Sequence, residues 1–229
     1  MKRVVLLIFC LSVYFSIFAQ ERADVNENEY LFVTEYGKTS KSKGVKGTPF
    51  VFEEMVKGDI IMTDGKNYQN VSLNIYPKKA QVFIGEELPD GEGKSNKTIV
   101  MDNRKLDKVV LEDGDRIFRY LKIKDIYMIG EVLYEKEDEK LVAYHEKRFL
   151  PAQVEAYSIN AYDVFQDVIK YFIVKDGQEH EVKKGSSGLK TISSDHWKTL
   201  RSYMKDSKLD FGNPADMRQV YLKSKELGG

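Results

Sequence analysis

Three Asp-Gly pairs, each placed between two apolar runs, restrict the fold of this chain more than any other feature. They are Asp64–Gly65, Asp113–Gly114 and Asp176–Gly177. A tight type I′ turn needs positive φ at both central residues, which glycine adopts freely and aspartate better than most residues. The pairs therefore predict β-turns that join antiparallel strands, and they argue against alternating strands and helices.

Two further hairpins are predicted around residues 135–139 and 77–79, and the aromatic, β-branched run at 30–36 predicts an earlier strand. Polar stretches at 37–48 and 89–97 predict surface loops. Together these segments predict a β body over residues 30–184, built as an antiparallel meander of hairpins. Such a meander can form an open sheet, a sandwich or an incomplete barrel, or it can split into two halves near 89–97.

The pattern changes near residue 193. Trp197, Leu200 and Met204 recur at helical spacing after a possible N-cap at Ser193 or Ser194, and Pro214 is placed to start a second helix. We therefore expect a helical pair over residues 193–227, packed on the sheet. The predicted fold class is α+β, mainly β.

The N-terminus has the pattern of an export signal. Lys2 and Arg3 precede an apolar run at residues 4–18, and Ala19 offers the small residue that signal peptidase needs. This run is shorter than the roughly twenty residues of a membrane-spanning helix. We predict a signal peptide over 1–19, cleaved after Ala19, and a loose segment over 20–29; an uncleaved anchor is the alternative.

Cleavage would also remove Cys10, the single cysteine of the chain. The mature chain would then have no disulfide, thiol nucleophile or thiolate metal site. Lipidation of Cys10 is not expected, because bulky Phe9 precedes it. With no second apolar span, we expect an exported protein without a transmembrane span, located in the periplasm or associated with the outer membrane.

Charge and motifs exclude several classes of function. The 36 basic residues equal the 36 acidic ones, so the chain lacks the overall basic charge typical of nucleic-acid-binding proteins. Two strings, at 37–39 and 93–95, resemble the end of a phosphate-binding loop. Both lack the glycine required five residues earlier, where Phe32 and Leu88 stand. No nucleic-acid partner and no cofactor are predicted.

Catalytic patterns are also missing. His145, His180 and His196 are isolated from one another, so no metal site is predicted. The run at 193–196 contains Ser, Asp and His, but a helix cap explains it better than a catalytic triad. The acidic run at 135–139 is typical of a solvated turn. The sequence therefore predicts no catalytic, cofactor-binding or metal-binding residue.

Residues 47–84 resemble a pattern found in uncharacterised exported proteins of Bacteroidetes-type bacteria. In that pattern a G-x-P-F start is followed by a KG strand, a DGK turn with a nearby aromatic residue, and a V-x-L-N strand. The matching residues are Gly47, Pro49, Phe50, Lys57, Gly58, Asp64, Gly65, Lys66, Tyr68, Val71, Leu73 and Asn74. The resemblance implies export and a β-rich body, and it implies no reaction.

Two functional hypotheses follow. The first is a non-enzymatic envelope protein that binds a small ligand or a partner protein on its sheet. Tyr171 and Phe172 are relevant here, because adjacent strand residues point to opposite faces and one aromatic ring is left for a second layer or a ligand. The second is a hydrolase of an envelope polymer, whose carboxylates come from separate strands and leave no short motif.

Overall fold

The computed structural model describes residues 42–87, 94–152 and 162–228. Within this part of the chain, one sheet of eleven strands is followed by three helices. The predicted mainly β, α+β class is confirmed. The predicted signal peptide at 1–19 with its Ala19 cleavage site, the segment at 20–29 and the strand at 30–36 lie outside the described residues.

The strands follow the apolar runs between the turns. Their bounds are β1 Val45–Lys46, β2 Val56–Met62, β3 Asn67–Tyr76, β4 Gln81–Glu87, β5 Lys94–Val100, β6 Leu106–Leu111, β7 Ile117–Ile123, β8 Ile126–Lys136, β9 Glu139–Leu150, β10 Asp163–Lys175 and β11 Gln178–Val182. The loop predicted at 89–97 is shorter than expected, because β5 already begins at Lys94 and pairs with β4.

The sheet has the order β1-β10-β9-β8-β7-β6-β2-β3-β4-β5, and β11 also pairs with β10. Its order joins the segments before and after 88–93 in one sheet, because β4 pairs with β5 and β2 pairs with β6. One pair departs from the antiparallel expectation: β1 runs parallel to β10, at Val45–Asp163 and Lys46–Val164. Strands β1 and β11 lie along the same edge of the long strand β10, near its opposite ends.

The three Asp-Gly pairs lie between paired strands, but their backbones differ. Asp176 and Gly177 have φ values of 51° and 72°, as a type I′ turn requires. At the other two turns only the glycine has positive φ, 86° at Gly65 and 71° at Gly114. There the aspartate instead accepts backbone N–H groups through its side chain, as Asp64 Oδ1 does from Lys66 at 3.1 Å.

The sheet is strongly curved. The 3₁₀ turn Pro77–Lys79, at the tip of the β3–β4 hairpin, contacts β8 and β9, although β2, β6 and β7 separate these strands from β3 in the sheet order. The Tyr144 hydroxyl of β9 donates to the Pro77 carbonyl at 3.2 Å. Residues of β2, β3, β4, β6, β7 and β8 form one apolar cluster, whose members include Ile75, Val109 and Phe118.

The helices are α1 Ser186–Ile192, α2 Trp197–Asp206 and α3 Pro214–Glu226. Helix α1 was missed, because its short segment contains Gly188 and begins after Gly185 without a side-chain cap. Pro214 begins α3 as predicted. Ser193 instead ends α1, its hydroxyl accepts the His196 N–H at 3.3 Å, and α2 begins at Trp197, later than expected.

The helices pack on β8–β11 through a second cluster that contains Leu133, Tyr171, Leu200 and Tyr221. One carboxylate fixes α3 to the start of β9: Glu139 Oε1 accepts from Tyr221 Oη at 2.7 Å and from Lys225 Nζ at 2.6 Å. Burial raises the pKa of Tyr221, and its hydrogen bond to Glu139 raises the pKa further.

Candidate functional site

One carboxylate lies in the middle of an otherwise apolar row of side chains. Phe118, Glu131, Ala143 and Tyr171 are direct partners across four neighbouring strands. Partners in a row share a face of the sheet, so Glu131 lies where the two apolar clusters meet. Glu131 is only 4% exposed. An ionised carboxylate at such depth needs strong partners.

Arg116 and His145 are the partners of the Glu131 carboxylate. Arg116 binds Glu131 in a bidentate manner, Nε to Oε1 at 2.8 Å and Nη2 to Oε2 at 3.0 Å. His145 Nε2 lies 2.6 Å from Oε2. Because an ionised carboxylate only accepts hydrogen bonds, the imidazole donates this one. The Arg116–Glu131–His145 cluster thus satisfies the buried carboxylate from two sides.

The Arg116 guanidinium is held in place by aromatic rings. It lies 5.1 Å from the ring centre of Phe52 and 5.3 Å from that of Phe118. The Asp113–Gly114 turn presents Arg116 to this position, since the Arg116 carbonyl accepts from Leu111 N–H at 3.0 Å and closes the turn. Aromatic stacking of this kind favours the planar guanidinium over an ammonium group.

Phe52 is itself positioned by a buried amide. The Asn74 side chain accepts from Phe52 N–H at 3.2 Å and donates to the Phe52 carbonyl at 3.0 Å. It also donates to the Glu54 carbonyl at 3.2 Å. Asn74 therefore ties the segment before β2 to β3 and indirectly supports Arg116.

The electrostatics of the cluster keep Glu131 ionised. Burial alone would raise the pKa of Glu131, but hydrogen bonds from His145 and Arg116 outweigh burial and lower the pKa to about 2. A carboxylate with so low a pKa is a weak base, and at neutral pH it carries no proton to donate. Glu131 itself is therefore poorly suited to act as a general acid or base.

The cluster forms one wall of a groove between the sheet and the start of α3. The groove has a volume of about 840 Å³, which is within the range of ligand pockets. Its other lining residues come from β7, β8 and α3, and the apolar ones include Ile117, Leu133 and Leu222. On the helix side, Arg218 is exposed and forms no ion pair with any described residue. The groove thus combines apolar walls with two arginines and three carboxylates, which belong to Asp115, Glu131 and Glu135.

Comparison with family models, curated proteins and solved structures gives no match. The geometry of the chain itself therefore carries the functional argument.

The sequence-predicted residues are distributed unevenly around this groove. Gly114 and His145 line it, whereas Asp64 and Gly65 do not, and Asp176 lies at a smaller cavity beside Glu139. His180 lines that smaller cavity, and His196 is at the start of α2. Among the described residues, no group of three or more His, Cys, Asp and Glu side chains could hold a metal ion.

The Ser-Asp-His run forms no triad. Ser194 Oγ donates to Asp195 Oδ1 at 3.0 Å, and the Ser193 hydroxyl accepts the backbone N–H of His196. Both contacts belong to the junction between α1 and α2.

In the described part of the chain, no helix is both long enough and apolar enough to cross a membrane.

Sequence reasoning missed Glu131 and Arg116. The available signal was the acidic residue inside the apolar run of β8, Ile126–Lys136, two positions after Ile129 and therefore on the same expected strand face.

Tyr171 and Phe172 lie in different apolar clusters, on opposite faces of β10. Their rings are buried in two layers and neither is left for a ligand.

Proposed function

We propose that this chain is an exported cell-envelope protein that binds a ligand or partner without catalysing a reaction. The observation that carries the proposal is the groove of about 840 Å³ beside Glu131, which has apolar walls and charged groups of both signs. A concave, mixed apolar and polar site of this size is the usual form of a binding site.

The locked state of Glu131 favours binding over catalysis. Hydrolysis by paired carboxylates needs one acid with a raised pKa and a second free carboxylate nearby. Here the most buried acid of the groove has a lowered pKa. Two other carboxylates line the groove, Asp115 and Glu135, and Glu135 forms ion pairs with Arg119 at 3.3 Å and Lys140 at 3.3 Å.

Export is supported by the basic residues, apolar run and Ala19 of the N-terminus. Mass spectrometry of the protein isolated from its native host tests this part. We expect a mature chain that begins at Gln20. A mature chain that retains Met1 or Lys2, or a lipid on Cys10, would refute it.

Binding is tested with the mature chain and a panel of defined envelope fragments, namely oligosaccharides, peptides and muropeptides, with thermal unfolding as the readout. Ala215→Trp places a large ring in the groove, and Gln219→Trp, at an exposed position of α3 outside the groove, is the matched control. We expect a fragment that stabilises the wild type and the control but not Ala215→Trp. Equal stabilisation of all three proteins would place binding elsewhere.

The alternative is a hydrolase of an envelope polymer with strand-borne carboxylates. The same panel, followed by chromatography of the fragments, separates the two functions. Cleavage of a fragment that is lost in Glu131→Gln or Glu135→Gln would support the hydrolase and contradict the binding module.

A further inference from the structure

The overall charge balance of the chain conceals a strongly basic segment. Residues 183–208 contain seven basic residues and two acidic ones, whereas the whole chain has a formal net charge of zero. The basic residues are Lys183, Lys184, Lys190, Lys198, Arg201, Lys205 and Lys208. This segment covers α1 and α2, so the excess is concentrated at one part of the helical layer.

Three of these cations surround an apolar depression. Arg201, Lys205 and Lys208 line a cavity of about 470 Å³, and no acidic residue lines it. All three are exposed, and none forms an ion pair with a described residue. Cations left without acidic partners around one opening create a local positive potential that attracts an anionic group.

The floor of the cavity is apolar. Leu189 and Met204 are buried, while Leu209 and Phe211 remain partly exposed. One helical turn before Arg201, Trp197 is also partly exposed, and Lys190 and Lys198 lie 5.0 and 5.8 Å from its ring. Aromatic rings flanked by lysines are enriched where proteins meet lipid headgroups, because the ring contacts the acyl boundary and the ammonium groups contact phosphate.

We propose that the α1–α2 face docks on an anionic lipid surface, with headgroup phosphates between Arg201, Lys205 and Lys208. A membrane fits better than a single small anion because the basic residues extend well beyond the cavity rim. Electrostatic attraction per basic residue is modest, so several must act together. The proposal does not depend on the groove beside Glu131.

The test is co-sedimentation of the mature chain with vesicles of phosphatidylcholine alone or with about one third phosphatidylglycerol. We expect binding to the anionic vesicles only, reduced at least about tenfold by Arg201→Glu/Lys205→Glu. The matched control is Lys105→Glu/Lys136→Glu, which reverses the charge of two exposed lysines outside the helical segment, one just before β6 and one at the end of β8. Equal binding by both double variants, or equal binding to both vesicle types, would overturn the proposal.

Two further measurements on the wild type show whether binding is electrostatic and whether it is specific for a lipid surface. Salt of about 0.5 M should release the wild type from anionic vesicles, because surface electrostatics are screened at that ionic strength. Inorganic phosphate at equal ionic strength should not compete better than chloride. Strong competition by phosphate, or tighter binding to soluble polyglutamate than to vesicles, would refute a lipid surface as the partner.

Discussion

The Glu131 carboxylate accepts a hydrogen bond of 2.6 Å from the His145 imidazole of the neighbouring strand. This bond, with the bidentate contact from Arg116, holds a charged group inside a face of the sheet that is otherwise apolar. The same three side chains form one wall of the groove, where these contacts hold them in a fixed arrangement. Predictions about stability and about ligand binding both follow from this arrangement.

Acid should weaken the protein through Glu131. Its pKa is lowered from 4.5 to about 2, so the carboxylate contributes stability that is fully present above pH 4.5 and is lost as pH falls toward 2. The contribution is about 3 kcal/mol. Urea unfolding of the wild type and Glu131→Gln between pH 7 and 2.5 measures it. The difference between the two proteins should shrink with acid, and a constant difference would contradict the assignment.

Removing Arg116 should be costly. Arg116→Met leaves the buried carboxylate with His145 alone, and we expect a loss of about 2–3 kcal/mol in the free energy of unfolding at pH 7, less than for a fully buried pair because Arg116 is partly exposed. Arg104→Met is the control, since Arg104 pairs with Asp102 in a similar geometry at the surface. The control should change little, and equal losses in both variants would argue against a special role for Arg116.

Two buried tyrosines should respond in opposite ways to the loss of a hydroxyl group. Tyr221→Phe removes the 2.7 Å hydrogen bond to Glu139 and should cost about 1 kcal/mol. The Tyr171 hydroxyl is buried and has no hydrogen-bond partner among the described residues. Tyr171→Phe should therefore be neutral or stabilising. Thermal unfolding of the two variants decides, and a larger loss for Tyr171→Phe would show that its hydroxyl has a partner.

Gly58 should not tolerate a methyl group. A Cβ atom there would lie 2.7 Å from the Val110 carbonyl oxygen, so β6 would have to move, at a cost of about 1–3 kcal/mol. At Gly85 the nearest atom is the end of the flexible Met55 side chain, at 3.1 Å. Gly85→Ala is thus the milder control. If chemical denaturation gives equal losses of stability for Gly58→Ala and Gly85→Ala, the close approach of the β6 backbone does not explain the glycine at position 58.

Several pairings between neighbouring strands could be predicted because their cause is local. Apolar runs separated by short predicted turns pair with each other, as β2 with β3 and β8 with β9. The turn between β7 and β8 was overlooked, because Lys124 and Asp125 both have positive φ without a glycine to signal it. Pairing of β2 with β6 is a non-local contact that no short pattern encodes.

Several residues of the segment 47–84 have packing or positioning roles in the structure. Gly58 allows β6 to approach, and Asn74 binds the backbone of Phe52, whose ring stacks on Arg116. Phe50 packs against Tyr76 and Phe83. These contacts stabilise the segment and position Arg116.

The candidate site could not be predicted because its parts come from distant positions. Arg116, Glu131 and His145 are brought together by the register of β7, β8 and β9, and the helix wall comes from α3, almost 70 residues beyond His145. The basic segment at 183–208 can be read from the sequence, but the net charge of the whole chain does not reveal it.

The most direct test of the central claim is an NMR titration of the isotope-labelled mature chain with the envelope-fragment panel, followed by analysis of the recovered fragment. We expect chemical-shift changes concentrated at groove residues such as Ile117, Ala215 and Leu222, which are lost in Ala215→Trp, and we expect the fragment to be recovered intact. A fragment that is cleaved by the wild type and spared by Glu131→Gln would contradict it.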